Sequence, residues 1–244
     1  MEHETFNAEE LTAYLHLATG DVERLLRESD LPHETRGGRV VFRRGAVDAW
    51  ASQRILNLPG KRLDQYHEKT MRGTRDIFPD AALIPELLDA EYIDLALPAK
   101  TKASVIREMV ALADKTTRVL DARELLESVV EREELCSTAL PGGFALLHAR
   151  HHAPYRFEGS FITLGRTLQD VHFSAPDGRP TRLFFLICCQ DDRIHLHTLA
   201  RLCLIAMKTH VMTELMAVES AEAAFNLLLA AEREVLPAPS QAPR

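Results

Sequence analysis

Long apolar runs are missing from this sequence. A transmembrane helix needs roughly 20 consecutive apolar residues, and no stretch of the chain approaches that length. The first residues, MEHETFNAEEL, are acidic and contain no apolar segment of the kind that a secretory signal peptide requires. We therefore expect a cytoplasmic protein without membrane insertion.

Cysteine is also scarce. The chain has four cysteines, and none of them is spaced as CxxC, the spacing that is typical of zinc sites and thiol redox motifs. Two of them are adjacent within the apolar run LFFLICC. A redox-active pair is the alternative there, but packing in a buried strand is favoured. We expect reduced, buried thiols at Cys136, Cys188, Cys189 and Cys203.

An excess of positive charge is absent as well. The chain has 29 Lys and Arg against 36 Asp and Glu, which gives a net charge of −7. This balance argues against a protein that binds nucleic acid over its whole surface, although it is compatible with a local basic patch. The hydrophobic fraction of 46% is ordinary for a soluble globular protein and sufficient for a sizeable core.

Composition and periodicity divide the chain into four segments. Residues 1–55 carry short helical patterns and one basic hairpin, and residues 56–77 are polar, basic and weakly periodic, which is typical of a linker. Residues 78–236 alternate helical patterns with apolar, β-branched strands, which predicts an α/β layer architecture. We expect residues 237–244 to be a disordered tail.

The first segment has the pattern of a helix-turn-helix with a wing. Leu11 and Leu15 share one face of a predicted helix, and Asp21 is a suitable N-cap for a second helix after a short turn. Gly37 and Gly38 separate two strand-like arms, which predicts a hairpin. This α+β arrangement resembles the excisionase/MerR family, in which the second helix reads the major groove and the hairpin acts as a wing.

That resemblance implies DNA contacts from a set of arginines, through charge and phosphate binding. Residues 1–54 nevertheless contain seven Lys and Arg against ten Asp and Glu, and Asp21 and Glu23 on the reading helix would repel DNA. A module that binds a protein partner is therefore the alternative. The candidate DNA-binding residues are Arg24 and Arg27 on the second helix, and Arg36, Arg39, Arg43 and Arg44 on or beside the wing.

Three stretches of the large segment resemble one family. VVEREELCSTALPGGFALLH, FSAPDGRPTRLFFLICC and DDRIHLHTLARLCLI occur in the order and spacing typical of the fructose–mannitol and nitrogen-regulatory IIA proteins of the bacterial sugar phosphotransferase system. The resemblance runs from about residue 84 to residue 235 and implies an α/β fold with an IIA-type mixed sheet flanked by helices. It also implies a phosphoryl donor related to HPr, the histidine-containing phosphocarrier protein.

The resemblance assigns four site residues. His148 aligns with the phospho-accepting histidine, Arg132 with the arginine near the phosphate, Thr138 with the threonine before the active-site loop, and His195 with a second active-site histidine. The family usually has proline and glycine on either side of the accepting histidine, where this chain has Leu147 and Ala149. The sequence therefore does not decide whether the protein is an active phosphotransferase.

The residues themselves are compatible with histidine phosphorylation. An imidazole is a nucleophile near neutral pH, and a guanidinium can bind phosphate oxygens through parallel hydrogen bonds. Gly142 and Gly143 would allow backbone N–H groups to approach the phosphate. Such transfer needs positioning and charge stabilisation, so neither a metal nor another cofactor is expected. We expect the His148 ring in a shallow niche lined by cations.

Each candidate also has a plainer interpretation. His148 can be a partly buried structural histidine, Arg132 a helix-end arginine and Thr138 a turn cap. His197, two positions after His195 on the same helix, is expected to face solvent. His148, His151 and His152 form an HxxHH cluster that could bind a metal, although no carboxylate or thiolate completes a set.

These observations lead to one functional expectation and one alternative. The expected protein is a regulatory IIA protein that is phosphorylated on His148 by an HPr-like donor and coupled to a DNA-binding helix-turn-helix for transcriptional regulation. The alternative is a non-catalytic DNA- or protein-binding regulator whose IIA-like domain only senses a partner. A homodimer is a weak expectation, since helix-turn-helix modules commonly bind paired half-sites.

Overall fold

A computed structural model describes residues 5–15, 19–27, 30–74, 76–78, 81–150 and 154–236. The helices are α1 (Ala8–Tyr14), α2 (Thr19–Arg27), α3 (Arg44–Leu56), α4 (Gly60–Gly73), α5 (Ile84–Leu87), α6 (Lys102–Lys115), α7 (Ala122–Leu135), α8 (Asp192–Lys208), α9 (Val211–Glu214) and α10 (Ala221–Val235). The strands are β1 (Thr5–Phe6), β2 (Glu34–Arg36), β3 (Arg39–Arg43), β4 (Ile93–Leu97), β5 (Ala139–Leu140), β6 (Phe144–His148), β7 (Phe161–Val171) and β8 (Thr181–Cys188).

The large segment is built on a five-stranded mixed sheet with the strand order β4-β7-β8-β6-β5. The pairs β4–β7 and β6–β8 are parallel, whereas β7–β8 and β5–β6 are antiparallel. Helices cover both faces, so the α/β fold with a mixed sheet flanked by helices is confirmed. None of the helices in the described part of the chain combines the length and apolar character that a bilayer crossing needs.

Side chains along the central strands point alternately to the two faces of the sheet, and this divides the core into two clusters. In β6, Phe144 and Leu146 belong to the cluster that contains α8 and α10, while Ala145 and Leu147 belong to the cluster that contains α6 and α7. Successive strand residues point to opposite faces of a sheet. The next residue on the α8 side is therefore His148, at the carboxyl end of β6.

The four cysteines are free thiols, and three of them are fully buried. Cys136 is only half-buried, because it follows the end of α7 rather than lying within the core as expected. Burial raises the pKa of Cys189 to about 12, so this thiol stays protonated at neutral pH. This protonation fits core packing of the vicinal pair better than a redox role.

The first segment contains the expected helices and hairpin, and a short strand, β1, adds an edge. β1, β3 and β2 form a three-stranded antiparallel sheet. Gly37 and Gly38 form its turn with φ of 57° and 76°, a conformation that favours glycine. α2 begins at Thr19, so Asp21 lies inside the helix and is not its N-cap. The DNA-binding class of this segment stays a prediction.

Residues 56–77 are not an irregular linker, because most of them form α4. Leu63, His67 and Thr70 are buried on one face of this helix, which packs against α8. Their spacing of four and three residues is helical. The periodicity is hard to see in the sequence because two of the three buried side chains are polar.

A buried polar network joins α4, α8 and α10. Arg201 Nε donates to His67 Nε2 at 2.6 Å, and the same guanidinium forms an ion pair with Glu232. Thr70 Oγ1 lies 2.9 Å from His197 Nδ1, and the rings of His67 and His197 stack with centroids 5.3 Å apart. His197 is therefore buried, and the expectation that it faces solvent is wrong, because α4 covers this side of α8.

We expect the stability of this network to fall with acidification. Burial, followed by the positive charge of Arg201, lowers the pKa of His67 to about 3, against about 6.5 in the unfolded chain. The unfolded state therefore binds the extra proton between these pH values, and stability is lost as the pH falls below about 6.5. From pH 7 to pH 5 this histidine should cost about 2 kcal/mol of the free energy of unfolding.

Urea unfolding of the wild type and of His67→Gln at both pH values measures this effect. Glutamine can still accept from Arg201 but does not titrate. The variant should lose less stability than the wild type on acidification. An equal loss in both proteins would show that His67 is not the titrating group.

Candidate phosphoryl-acceptor site

His148 ends strand β6, and its side chain is only 1% exposed. The expected shallow niche is therefore wrong for this conformation, since the ring lies below the surface. Its surroundings are nevertheless polar at both ring nitrogens, so it is not packed as an ordinary apolar core residue.

The hydrogen bonds of His148 define its tautomer. Nδ1 lies 2.9 Å from the carbonyl oxygen of Leu146, which can only accept, so Nδ1 carries the proton. Arg132 Nε lies 2.9 Å from Nε2 and can only donate, so Nε2 carries a lone pair. A neutral imidazole with the lone pair at Nε2 is the form that can act as a nucleophile.

Arg132 reaches this ring from the last turn of α7 and is itself 1% exposed. Its Nη1 donates to the carbonyl oxygen of Cys136 at 3.0 Å, which satisfies part of the helix end. Its Nη2 has no hydrogen-bond acceptor among the described residues. A guanidinium nitrogen that is buried beside Nε2 without an acceptor is a suitable donor to an anionic oxygen.

His195 completes the cluster from the first turns of α8. Its ring centroid lies 4.8 Å from that of His148, with an angle of 51° between the ring planes. Asp191 caps α8 by accepting from the backbone of Arg193 and Ile194, which fixes the start of the helix. His195 Nε2 lies 3.4 Å from Ser52 Oγ on α3, a contact that the sequence does not predict.

Thr138 does not join this cluster through any contact in the described structure. Its backbone N–H and its hydroxyl donate to Glu133 at 2.9 and 2.7 Å, and Glu133 also accepts from Lys102 Nζ at 2.7 Å. The threonine therefore anchors Glu133, which follows Arg132 near the end of α7. Its direct role in the site stays a prediction, and the sequence analysis did not anticipate the contacts with Glu133 and Lys102.

Gly142 and Gly143 also lie away from the site. They form the turn between β5 and β6 with φ of 100° and 82°, at the opposite end of β6 from His148. Gly143 lies five residues before His148, and five strand steps correspond to about 16 Å, which is too far for the N–H groups of these glycines to bind a phosphoryl group on that histidine. Leu147, which stands where the family usually has proline, packs into the core cluster that contains α6 and α7. It precedes His148 directly in β6.

The candidate DNA-binding arginines differ in their availability. Arg36 and Arg43 form ion pairs with Glu34 within the hairpin, whereas Arg39 is exposed at the turn. Arg44 begins α3 directly after the wing strand, and its guanidinium pairs with Asp192 of α8 instead of extending from the wing, so its DNA contact stays a prediction. The remaining two candidates, Arg24 and Arg27, are exposed on α2.

The HxxHH cluster cannot be assessed as a unit, because His151 and His152 lie outside the described residues. Across the part of the chain that the structure describes, no group of three or more His, Cys, Asp or Glu side chains is arranged to hold a metal ion.

Residues 86–231 match the family model described as the phosphoenolpyruvate-dependent sugar phosphotransferase system, EIIA 2. The chain belongs to this EIIA family. It is 31% identical over 147 residues to the fructose-specific EIIABC component of Bacillus subtilis, a match that covers 59% of this chain but only 23% of that longer protein. It is 29% identical to a nitrogen regulatory protein of Bradyrhizobium diazoefficiens, with 59% of this chain and 94% of that protein covered.

Solved structures agree with this assignment. The nitrogen regulatory protein IIA-Ntr of Neisseria meningitidis is 30% identical, with a TM-score of 0.55 over 60% of this EIIA-family chain and 99% of that chain. The mannitol IIA of Escherichia coli, at 23% identity, has a TM-score of 0.51 over 58% of this chain and 98% of that chain, which shows a shared fold.

The hydrogen bonds predict a spectroscopic signature for this EIIA-family site. We expect His148 to be the neutral Nδ1–H tautomer at neutral pH, as read from two-bond ¹⁵N–¹H correlation spectra. In Arg132→Met the tautomer should persist, because the carbonyl oxygen of Leu146 still accepts from Nδ1, but the Nε2 resonance should change. A predominant Nε2–H tautomer in the wild type would contradict this arrangement.

Proposed function

We propose that this protein is a regulatory IIA protein that accepts a phosphoryl group on His148 Nε2 from an HPr-like phosphocarrier. The observation that carries the proposal is the hydrogen-bonding of the His148 ring. Its Nδ1 is held by the Leu146 carbonyl oxygen, and its nucleophilic Nε2 faces Arg132, which has a further donor without an acceptor among the described residues.

The bonds formed and broken in this transfer balance without a cofactor. The lone pair of His148 Nε2 attacks the phosphorus of the donor's phosphohistidine, the donor's N–P bond breaks, and that bond's electron pair stays on the donor imidazole. The Nδ1 proton remains on His148, hydrogen-bonded to Leu146. Arg132 must release Nε2 before the attack, and its guanidinium then faces the phosphoryl oxygens.

The regulatory role is proposed from the N-terminal segment, which contacts the EIIA-family region at His195 and Asp192 and has no evident use in sugar uptake. Nitrogen regulatory proteins are among the relatives that match over nearly their whole length, as is a fructose-specific EIIA component. A solved complex joins mannitol IIA to phosphorylated mannitol IIB. A surface that meets other phosphocarriers is therefore part of the proposal, and phosphorylation serves as a signal with or without onward transfer.

Phosphorylation in a reconstituted system tests the proposal. With phosphoenolpyruvate, enzyme I and HPr, or their nitrogen-branch counterparts, the full chain should acquire an acid-labile phosphoryl group on His148. His148→Gln should acquire none, and His67→Gln is a matched control, because that buried histidine lies in a separate network. Absence of label with both donors, while a nitrogen regulatory IIA protein is labelled in parallel, would sink the proposal.

A second candidate function, DNA binding by the first segment, is favoured by the exposed hairpin arginine and the exposed arginines of α2. We expect Arg39→Ala combined with Arg27→Ala to weaken DNA binding. The logarithmic salt slope should also become shallower by about 0.9 for each phosphate that the variant no longer neutralises.

A mobility-shift titration with genomic fragments at several salt concentrations measures this binding. Arg118→Ala is the control, since that arginine lies in the EIIA-family region and donates to the backbone of Glu158. If the wild type retains no fragment at low salt, DNA binding by this segment is rejected, and a protein-binding module is the remaining candidate.

A further inference from the structure

Helix α3 lies against the start of α8, directly beside the candidate site. Val47, Ala51 and Ile55 are buried on one face of α3 at successive helical turns. Ser52 is 2% exposed, and its hydroxyl oxygen lies 3.4 Å from His195 Nε2. The N-terminal segment therefore contacts the second histidine of the site through its third helix.

An ion pair holds the beginning of the same helix. Arg44, the first residue of α3, donates through Nε at 2.9 Å and also through Nη2 to Asp192, the first residue of α8. The Asp192 side chain is 3% exposed. The Arg44 guanidinium also lies 5.6 Å from the ring centroid of Phe6 and 6.0 Å from that of Tyr14, so the ion pair connects α8 to β1 and α1 as well.

This conformation leaves no room for a protein donor. Transfer between two histidines needs the reacting atoms about 3–3.5 Å apart before the reaction. His148 and His195 are 1% and 0% exposed, so the phosphorus of a donor protein cannot reach Nε2 in the described arrangement. Some part of the protein must move before His148 can be phosphorylated.

The contacts indicate which part moves. α4 is joined to α8 by a buried polar network around His67, Thr70 and Arg201, which fixes it in place. The polar contacts of α3 with α8 are the Ser52–His195 pair and the Arg44–Asp192 ion pair, and the buried apolar side chains of α3 belong to the same core cluster as those of α8. The chain between α3 and α4 is only residues 57–59, which can act as a hinge while α4 stays bound.

We propose that α3 is a built-in cover of the phosphoryl-acceptor site, closed by the Arg44–Asp192 ion pair and opened for the donor. The regulatory part of this proposal rests on the proposed function. A phosphoryl group on Nε2 carries roughly two negative charges, and it attracts the N–H donors of Arg132 and His195 as a hydrogen-bond acceptor. His195 is then no longer available to pair with Ser52. Phosphorylation therefore opposes closure and releases the N-terminal segment, and by linkage a partner that binds the released segment favours phosphorylation.

Chemical modification of the unphosphorylated full chain tests the cover without any donor. Carbethoxylation by diethylpyrocarbonate, followed residue by residue with mass spectrometry, should be slow at His148 in the wild type and fast at exposed His172. Arg44→Ala should accelerate modification of His148 by about tenfold, which corresponds to a closed state that is less stable by about 1.4 kcal/mol. Arg54→Ala is the matched control, because this α3 arginine pairs with Asp30 of its own segment.

Protection of His67 and His197, which are buried between α4 and α8, must persist in Arg44→Ala. This persistence distinguishes opening of α3 from general unfolding, and Arg44→Gln, which keeps more of the side chain, serves if the alanine variant unfolds. Equal modification of His148 in the wild type and in a folded Arg44 variant would overturn the proposal.

Phosphorylation rates then separate this proposal from the proposed function. With limiting phospho-donor, Arg44→Ala should be labelled about tenfold faster than the wild type, by the same shift in the open population. If Arg44→Ala is modified faster but neither protein is labelled, α3 is supported as a cover and phosphorylation by this donor is rejected. If the two proteins are labelled equally and modified equally, phosphorylation by the donor is supported and α3 is rejected as a cover.

Discussion

The hydrogen bond from Arg132 Nε to His148 Nε2 is the interaction on which the site depends. Together with the Leu146 carbonyl oxygen at Nδ1, it fixes the tautomer that a phosphoryl acceptor needs. The same bond occupies the nucleophilic lone pair, so the resting site is prepared but not free to react. A buried guanidinium with one donor that meets no acceptor among the described residues is costly in isolation. Its retention next to a histidine is understandable if an anion binds there for part of the time.

Helix α8 lies between this site and the N-terminal segment and is buried on nearly every side. One face packs on the sheet, and the N-terminal segment and α4 cover much of the remainder. His195 points to the site and meets Ser52, while His197, roughly 200° further around the helix, meets Thr70. Movement of α3 therefore changes the surroundings of His195 without disturbing those of His197. In the proposed opening, His195 therefore marks the part of α8 that is uncovered, and His197 the part that stays anchored to α4.

The sequence predicts the α/β fold, the order of its elements and the approach of Arg132 and His195 to His148, because these depend on local periodicity and on a motif of fixed spacing. It does not predict the contact between segments. α4 is missed because His67 and Thr70 look polar in sequence, although a buried arginine and a second histidine satisfy them. Burial of His197 and the pairing of Arg44 are missed for the same reason. Partners that lie more than 100 residues away leave no local pattern.

Electrostatics explain why covering this site is compatible with regulation. In the covered form Arg132 donates to the neutral His148 ring, and the Arg44–Asp192 pair lies at the start of α8, near His195. Under the proposed function, a phosphoryl group would bring about two negative charges next to the Nδ1-protonated ring and the Arg132 guanidinium. Ionised groups cost desolvation free energy when they are buried, even as pairs, whereas exposure to water does not. In the proposed cover the phosphorylated site is therefore more stable open, and movement of one helix would couple phosphate on the histidine to release of the segment before it.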